Sequence, residues 1–434
     1  TPTEGTAPLT VTFTDKSTGT VTQWEWDFDN DGTPDLSYDS SSIPTTIQHT
    51  YTTAGWYTVK LTVTGPVGSD TCIKEMFILV ANNIWYVNGD GGDNGNGGTS
   101  WSDAWKTIGH ALSEAGDYDL VLVADATYNE TNLDFGGKKI YLKGVDHNNA
   151  GQKPVIDCQH AGRAFYFGSG ETKDSAIENF TVKNGSAHYY GGAIYCKSSS
   201  PTVTGCTFSG NSADYGGAIY CSSSSPTVVN CTFSGNSADY GGAIYCKDSS
   251  SSRITNCTFS GNSAKHLGGA IYCLDSTATL NNCILWGNSA GDNGNEIYMT
   301  VYKATSSCTL NYCCVDNTGY GFGSGVPTTA IDDSNNCIFV DPQFVDAANG
   351  DYHLSGASPC IDAGDNGLVP GWLTTDLDGN KRIMDSDSDG TAAVDIGAFE
   401  SHLLITTTSL PPAYEDETYS YTVVASAGDP SNYT

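Results

Sequence analysis

Hydrophobic and polar positions alternate in short runs along the middle of the chain. Residues 193–196 and 202–208 are rich in β-branched and aromatic side chains, and Gly-Gly, Ser-Ser-Ser-Pro and Ser-Gly-Asn-Ser sequences separate such runs. These short runs, with no helix-length segment between them, predict strands. They exclude the leucine-rich, ankyrin and tetratricopeptide repeats, each of which needs a helix or a longer unit.

Two phrases recur in alternation between Asn184 and Asn295. Gly-Gly-Ala-Ile-Tyr-Cys occurs four times, and a phrase that begins with Cys and ends with Gly-Asn also occurs four times, at steps of 25 to 27 residues. A fixed period of this size predicts stacked units that cannot bury their apolar faces alone. With two or three strands per unit and parallel pairing between copies, the prediction is a right-handed parallel β-helix with rungs about 4.8 Å apart.

Stacking in register predicts columns of identical side chains. The predicted inward columns are Val203, Val228, Ile254, Leu280 and Leu310; Phe208, Phe233, Phe259 and Leu285; Cys196, Cys221, Cys246 and Cys273; and Cys206, Cys231, Cys257 and Cys283. An amide ladder at a turn is predicted for Asn211, Asn236, Asn262 and Asn288. Because in-register parallel neighbours have poor disulfide geometry, we expect these eight cysteines to be reduced, with Cys308, Cys313 and Cys314 as the exceptions among the fifteen.

The repeat resembles known surface proteins. The alternation of Gly-Gly-Ala-Ile with Phe-x-x-Asn is similar to the repeat of polymorphic outer-membrane adhesins, and the segments 337–344, 352–364 and 394–400 resemble the closing portion of surface-anchored β-helix proteins. The resemblance implies adhesion or cell-surface structure and implies no catalytic residues.

The first 82 residues predict a small β-sandwich. Leu9–Phe13 and Tyr57–Val63 alternate with a period of two. The phrase from His49 to Leu61, preceded by Trp24-Glu-Trp-Asp-Phe28, resembles the PKD domain, an immunoglobulin-like extracellular module that implies a spacer or interaction role.

The rest of the chain is also predicted to consist mainly of β-strands, so the predicted fold class is all-β. Residues 83–402 are expected to form the β-helix, with an amphipathic helix near 102–115, capped by Ser102 and ended by Gly116, that covers its open apolar end. Residues 403–434 resemble the first strands of another immunoglobulin-like module. Some 30 residues cannot bury a core alone, so we expect a partial sandwich that continues beyond the chain or adds strands to a neighbour.

The net charge of the chain makes some classes of binding partner unfavourable. The formal net charge is −31 and the pI is near 4.2. Such a surface repels nucleic acid and anionic membrane, and it favours cations, with divalent metal as the counter-ion. No apolar run is long enough to span a membrane. We interpret the chain as a piece of a longer secreted, extracellular or cell-surface polypeptide, whose partners are other surface or matrix proteins, itself, or polysaccharide.

Two acidic loops predict structural calcium. Carboxylates at alternate positions followed by glycine can direct several hard oxygens to one centre, which calcium prefers. The alternative is a solvated acidic turn. The predicted ligands are Asp27, Asp29, Asp31 and Asp35 in the first loop and Asp385, Asp387, Asp389 and Asp395 in the second.

A stripe of tyrosines beside acids is the remaining candidate. Tyr190, Tyr215 and Tyr240 precede the Gly-Gly turn, and Asp214 and Asp239 align with each other, so the set predicts a sugar-binding stripe or simply the outer face of a turn. The charged departures from the repeat do not form a known active site, so no catalytic residue is assigned. The sequence favours a structural or adhesive segment that binds calcium and assembles into fibres or a surface layer. The alternatives are a polysaccharide lyase or glycosidase, or a carbohydrate-binding module.

Overall fold

A computed structural model describes residues 1–44, 46–386 and 389–401, together with the strands Leu403–Ile405 and Ala425–Ala427, which pair antiparallel. The predicted C-terminal immunoglobulin-like module, 403–434, otherwise lies outside the described residues. Almost all regular structure is β-strand, as the short alternating runs predict.

The N-terminal sandwich consists of two sheets. Its two-stranded antiparallel sheet contains Leu9–Phe13 and Ile47–Tyr51. Its five-stranded sheet contains, in spatial order, Glu4–Thr6, Gly68–Ala81, Gly55–Gly65, Gln23–Asp27 and Leu36–Asp39. Alternate residues face inward, so Val11, Trp26, Phe28 and Ile78 are buried between the sheets.

After Asn82 and Asn83, the chain enters a parallel β-helix of about eight turns. Three long parallel sheets, here called sheets I, II and III, run along it, and a short sheet IV lies between II and III, so the central turns have four strands instead of the predicted two or three.

The strands of each sheet follow one another at successive turns. Sheet I contains Ile84–Val87, Leu120–Ala124, Tyr141–Val145, Ala176–Glu178, Thr202–Thr204, Thr227–Val229, Ser251–Thr255, Thr277–Asn281, Ser307–Asn311 and Ile331–Asn335. Sheet II contains Thr127–Tyr128, Val155–Asp157, Thr181–Lys183, Thr207–Ser209, Thr232–Ser234, Thr258–Ser260, Ile284–Trp286 and Cys314–Val315. Sheet III contains Leu133–Asp134, Phe165–Phe167, Ile194–Lys197, Ile219–Ser222, Ile244–Lys247, Ile271–Leu274, Ile297–Thr300 and Tyr320–Phe322. Sheet IV contains Ser186–Tyr190, Ser212–Tyr215, Ser237–Tyr240, Ser263–Leu267 and Ser289–Ala290.

The predicted columns are present. Phe208, Phe233 and Phe259 pair in register, with ring centroids 5.0 and 4.5 Å apart. The valine–isoleucine–leucine column also pairs rung by rung, and both cysteine columns are fully buried with unpaired thiols. Identical side chains therefore fill the interior, because each turn of the chain repeats the same backbone path.

The amide ladder is equally regular. Asn211 Nδ2 donates to Asn236 Oδ1 at 2.9 Å, Asn236 Nδ2 to Asn262 Oδ1 at 2.9 Å, and Asn262 Nδ2 to Asn288 Oδ1 at 2.8 Å. Asn288 Nδ2 ends the ladder on Glu296 Oε2 at 2.6 Å. The ladder satisfies polar groups at a buried corner that would otherwise lack partners.

The helix at the start of the β-helix is shorter than predicted. It spans Ile108–Glu114 and begins at an N-cap on Thr107, not at Ser102. A 3₁₀ turn, Trp101–Asp103, precedes it, and Trp105 instead makes a parallel bridge with Val87. Trp105 fits the amphipathic helical pattern, but its backbone pairs with Val87 instead, so the helix cannot include it. The buried face of Ile108, Ala111 and Leu112 still covers the open end of the core.

The C-terminal segment, defined here as residues 341–401, contains little regular structure. Phe344–Asp346 pairs antiparallel with Asp351–Leu354. The remaining described 3₁₀ turns of the chain are Asn317–Gly319, Thr328–Ala330, Ala347–Asn349 and Asn366–Leu368. This segment folds back along the outside of the β-helix.

Candidate functional site

Two outer faces of the β-helix are partly covered by the chain itself. The N-terminal sandwich packs against the first strands of sheet I, where the rings of Trp56 and Tyr141 lie 5.1 Å apart. The C-terminal segment covers sheet II, where the backbone N–H of Ala398 donates to Thr258 Oγ1 at 3.1 Å. Sheets III and IV together form the third face.

The third face carries a column of tyrosines. Tyr195, Tyr220, Tyr245, Tyr272 and Tyr298 pair in register along sheet III. Their ring centroids are 4.6 to 5.4 Å apart, and from Tyr220 onward the rings are within 22° of parallel. Each tyrosine points outward, since it lies between an inward isoleucine and an inward cysteine or methionine.

The predicted stripe forms a second column beside the first. Tyr190, Tyr215 and Tyr240 follow one another along sheet IV, and Leu267 takes the next position. Rings contact across the columns, as Tyr190 and Tyr220 do at 4.5 Å and Tyr215 and Tyr245 at 5.4 Å. We call the eight tyrosines of the two columns the tyrosine face.

Packing of the two columns limits what this surface can do. Tyr220, Tyr245, Tyr272 and Tyr298 are only 4 to 9% exposed, because neighbouring tyrosines occupy their ring faces. Burial raises the pKa of each of these phenols, so they stay neutral hydroxyl groups. The face therefore does not present flat open rings along its length. What it offers a ligand is ring edges and hydroxyl groups.

Charged groups border the tyrosine face. The Arg163 guanidinium lies 5.2 Å from the centre of the Tyr195 ring. His266 packs on Tyr240 and contacts Asp292 at 2.8 Å. Asp214 and Asp239, predicted as part of the stripe, lie at equivalent partly exposed positions on sheet IV. The border thus has donors and acceptors for polar ligands.

A cleft of about 540 Å³ lies where the sandwich, sheet I and the C-terminal segment meet; we call it the junction cleft. Among its lining residues, Lys143 Nζ lies 2.8 Å from Glu4 Oε2 and 4.0 Å from Glu178 Oε1. The Tyr141 hydroxyl also donates to Glu178. Burial, together with the Glu4 carboxylate, raises the pKa of Glu178 to about 8.

Two further lining residues of the junction cleft, Lys153 and Asn230, are also polar. Lys153 Nζ donates to the carbonyl of Leu377 at 2.7 Å, and burial lowers the pKa of Lys153. Asn230 Nδ2 donates to the carbonyl of Thr375 at 3.4 Å, while Asn230 Oδ1 is buried without a hydrogen-bond partner. An unsatisfied buried acceptor beside a cavity can accept a hydrogen bond from a bound molecule.

The first acidic loop brings carboxylates together. Asp27, Asp29 and Asp35 each place an oxygen within 4.8 Å of the others. Backbone N–H groups of Gly32 and Phe28 fix Asp27 and Asp35 at 3.1 and 2.7 Å. Burial and the neighbouring carboxylates raise the pKa of Asp29. Asp31 is outside this group, and its Oδ1 accepts the N–H of Thr33 at 2.7 Å.

Two regions of the chain match known protein families. Residues 1–80 match the family described as PKD domain, and residues 140–300 match the family described as right-handed β-helix region. The chain thus contains a PKD domain followed by a right-handed β-helix region. The family matches confirm the predicted PKD domain and the predicted right-handed β-helix.

Solved structures similar to this chain include polysaccharide lyases and a glycosidase. Pectate lyase Pel9A is 13% identical over 74% of this chain and 96% of its own, with a TM-score of 0.35. A rhamnogalacturonan lyase is 12% identical over 61% and 90%, with a TM-score of 0.35. A family 28 exopolygalacturonase of Yersinia enterocolitica is 10% identical over 80% and 89%, with a TM-score of 0.24. At these values the likeness carries no argument about activity. A search of curated proteins gave no match.

PKD domains and β-helices are typical of extracellular proteins. Among the described residues, none of the helices has the length and apolar character needed to cross a membrane.

The second acidic loop of this PKD–β-helix chain differs from the first. Asp395 is fully buried, and its two oxygens accept the N–H groups of Asp362 and Ser401 at 2.7 and 2.6 Å. Burial raises the pKa of Asp395 to about 7. Asp385 and Asp389 accept backbone N–H groups within their own loop, and Asp387 lies outside the described residues. Among the described residues, the acids of this loop do not form a group of three carboxylates as the first loop does.

Sequence reasoning missed three features. The Tyr195–Tyr298 column could have been found, because tyrosine alternates with inward residues in every copy of the first phrase. A second amide ladder on sheet I joins Asn281, Asn311 and Asn335 at 2.8 and 2.9 Å, and its in-register asparagines are also visible in the sequence. The junction cleft has no such signal, because its parts come from remote segments.

Proposed function

We propose that this chain is an extracellular adhesive and spacer module that binds polysaccharide along its tyrosine face. The observation that carries the proposal is the continuous tyrosine face itself: eight outward tyrosines over successive rungs. The protein's own segments pack on the other two outer faces. A rod with one face of this kind suits a long, repetitive ligand.

The geometry favours a particular mode of contact. Ring faces are taken up by tyrosine–tyrosine packing, so the sugar would meet hydroxyl groups and ring edges. Tyr215 and Tyr240, with the carboxylates of Asp214 and Asp239, repeat at two successive rungs and supply alternating donors and acceptors. A glycan lying along the rod would repeat these hydrogen bonds with successive sugars, and many weak contacts in series give useful affinity.

Loss of the phenol hydroxyls tests this proposal. Replacing Tyr190, Tyr215 and Tyr240 together by Phe keeps the packing and removes three hydroxyls. At about 0.5–1.5 kcal/mol per hydrogen bond, retention by a polysaccharide gel should weaken by about tenfold or more. The control is Tyr302→Phe, a tyrosine that is 80% exposed outside the tyrosine face. Equal retention of the triple variant and the control, or no retention of the wild type on neutral and acidic polysaccharides, would refute the proposal.

The junction cleft favours a second candidate, a polysaccharide-degrading enzyme. Glycosidases use two carboxyl groups, one of them protonated at working pH. Glu178, with its pKa raised to about 8, suits the acid, and Glu4 across Lys143 suits the ionised partner. In this role Glu178 would donate its proton to the leaving oxygen as the glycosidic bond breaks.

An assay for cleavage products distinguishes the adhesive module from the enzyme. We expect no new reducing ends or unsaturated products when polysaccharides are incubated with the wild type. Release of such products that is abolished by Glu178→Gln, and retained by the control Asp39→Asn, an exposed carboxylate at the end of the strand Leu36–Asp39, would establish the enzyme in place of the adhesive module.

Calcium is proposed as a structural ion in the PKD domain, held by Asp27, Asp29 and Asp35. Three carboxylates that converge within 4.8 Å repel one another, and a divalent cation would offset that repulsion. We also propose that the rod associates with other surface or matrix proteins or with copies of itself, in keeping with its acidic, repetitive surface.

A further inference from the structure

Cys314 differs from every cysteine of the two columns. It lies in the last strand of sheet II, Cys314–Val315, where Val315 faces the core and Cys314 faces outward. There it meets the C-terminal segment: Cys314 and Cys360 belong to one buried cluster, and the Cys314 thiol donates to the carbonyl of Val340 at 3.2 Å. Both residues are fully buried, and Ile284, Leu354 and Ile396 surround them.

The setting of this pair also differs from that of the columns. In the Cys196–Cys273 column, each inner cysteine has a neighbour above and below on strands that pair in parallel and in register, and that geometry is unfavourable for the disulfide dihedral. Cys314 and Cys360 belong to two segments that are not paired as strands. Within the C-terminal segment, the N–H of Ile396 donates to the carbonyl of Cys360 at 2.9 Å.

We propose that Cys314 and Cys360 form a disulfide bond that fastens the C-terminal segment to sheet II of the β-helix. The inference rests on the proposed extracellular location, where disulfides persist. An oxidised low-molecular-weight disulfide is the oxidant. One thiolate attacks it to give a mixed disulfide and release one thiol; the second thiolate then displaces the other thiol and closes the bond. The two cysteines lose two protons and two electrons, and the oxidant is reduced to two thiols. Because both sulfurs are buried, the reaction takes place while the segment folds onto the rod.

The bond closes a loop between remote parts of the chain. It would keep the segment on sheet II even when the contacts at Thr258 and Asn282 open. The remaining thirteen thiols, including both columns, stay reduced.

Peptide mapping tests the proposal on the full chain. The protein is refolded with oxidised and reduced glutathione, blocked with N-ethylmaleimide under denaturing conditions, and digested without reductant by a protease that cleaves before aspartate. Cleavage before Asp292, Asp316, Asp351 and Asp362 yields fragments 292–315 and 351–361. We expect these two fragments to be joined, with a mass equal to their sum minus two hydrogen atoms plus two N-ethylmaleimide groups, on Cys308 and Cys313, and with fragment ions that place the bond on Cys314. Full alkylation of both fragments, or a bond through Cys308 or Cys313, would overturn the proposal.

A stability measurement provides the second test. Reduction should lower the thermal midpoint of the oxidised wild type by several degrees, and it should leave the midpoint of Cys360→Ala unchanged. The matched control, Cys72→Ala, alters the one exposed cysteine and should keep the response to reduction. If reduction leaves the wild-type midpoint unchanged, the bond does not fasten the segment. Polysaccharide retention of the reduced protein is measured in parallel, so failure of the disulfide is distinguishable from failure of the tyrosine face.

Discussion

The amide ladder gives the sharpest prediction about stability. Asn236 is fully buried, and its side chain makes four hydrogen bonds. Its Nδ2 donates to Asn262 Oδ1 at 2.9 Å and to the carbonyl of Phe208 at 3.0 Å. Its Oδ1 accepts from the Nδ2 and the backbone N–H of Asn211 at 2.9 and 3.1 Å. Asn236→Ala removes all four and leaves the backbone N–H of Asn211 buried without this acceptor.

The magnitude follows from these bonds. At about 1 kcal/mol net for each hydrogen bond, their loss lowers the free energy of unfolding by about 4 kcal/mol. The matched control is Asn335→Ala. Asn335 ends the second amide ladder, is exposed, and makes one side-chain bond, to Asn311 Oδ1 at 2.9 Å, so its loss should cost about 1 kcal/mol or less.

Urea unfolding measures both variants. Far-ultraviolet circular dichroism and tryptophan fluorescence are recorded together, because a repeat protein can unfold in steps and the two transitions must coincide for the free energies to be comparable. A loss for Asn236→Ala within about 1 kcal/mol of the loss for Asn335→Ala would refute the reasoning. It would mean that the ladder fills space without contributing hydrogen-bond stability.

Three further predictions concern the pH dependence of stability, the binding of calcium and the reactivity of the cysteines. Burial alone would lower the pKa of His353, but hydrogen bonds to Asp378 and Asp351 outweigh it and raise the pKa to about 9. This pairing stabilises the fold fully below pH 6.5 and is lost as pH rises through 9, so His353→Gln should lower the free energy of unfolding by up to about 3 kcal/mol at pH 6 and by little at pH 10. Calcium at 100 times its Kd should stabilise the wild type by about 2.7 kcal/mol in calorimetry and should not stabilise Asp29→Asn. N-ethylmaleimide should modify Cys72 rapidly in the native protein and spare the buried thiols, as followed by mass spectrometry.

Each of these predictions has a control. His188→Gln changes an exposed histidine on sheet IV and should show no such pH dependence. Asp39→Asn alters an exposed carboxylate of the PKD domain outside the first acidic loop and should keep the response to calcium. A thermal midpoint unchanged by a chelator would contradict the calcium prediction, and native alkylation of Cys206 or Cys231 would contradict the buried columns.

The repeat made most of the β-helix predictable. Phe208, Phe233 and Phe259, the cysteine columns and the asparagine ladder all follow from one period, because parallel pairing in register places equal positions over one another. The same logic extends to the tyrosines of the Ile-Tyr-Cys phrase, which the pattern implies as outward residues. The predicted start of the helix was wrong because strand pairing competed with the local pattern. Trp105 forms a bridge with Val87, so the helix begins at Ile108.

The sequence by itself determined the architecture, since stacking like on like depends only on the spacing of residues along the chain. The tertiary structure alone decided which faces of the rod stay open and where a cleft forms. Glu4 and Lys143 are 139 residues apart, and Lys153 and Leu377 are 224 apart. Contacts over such separations depend on how whole segments pack, through many weak interactions that no local pattern encodes. Cys314 and Cys360 meet for the same reason.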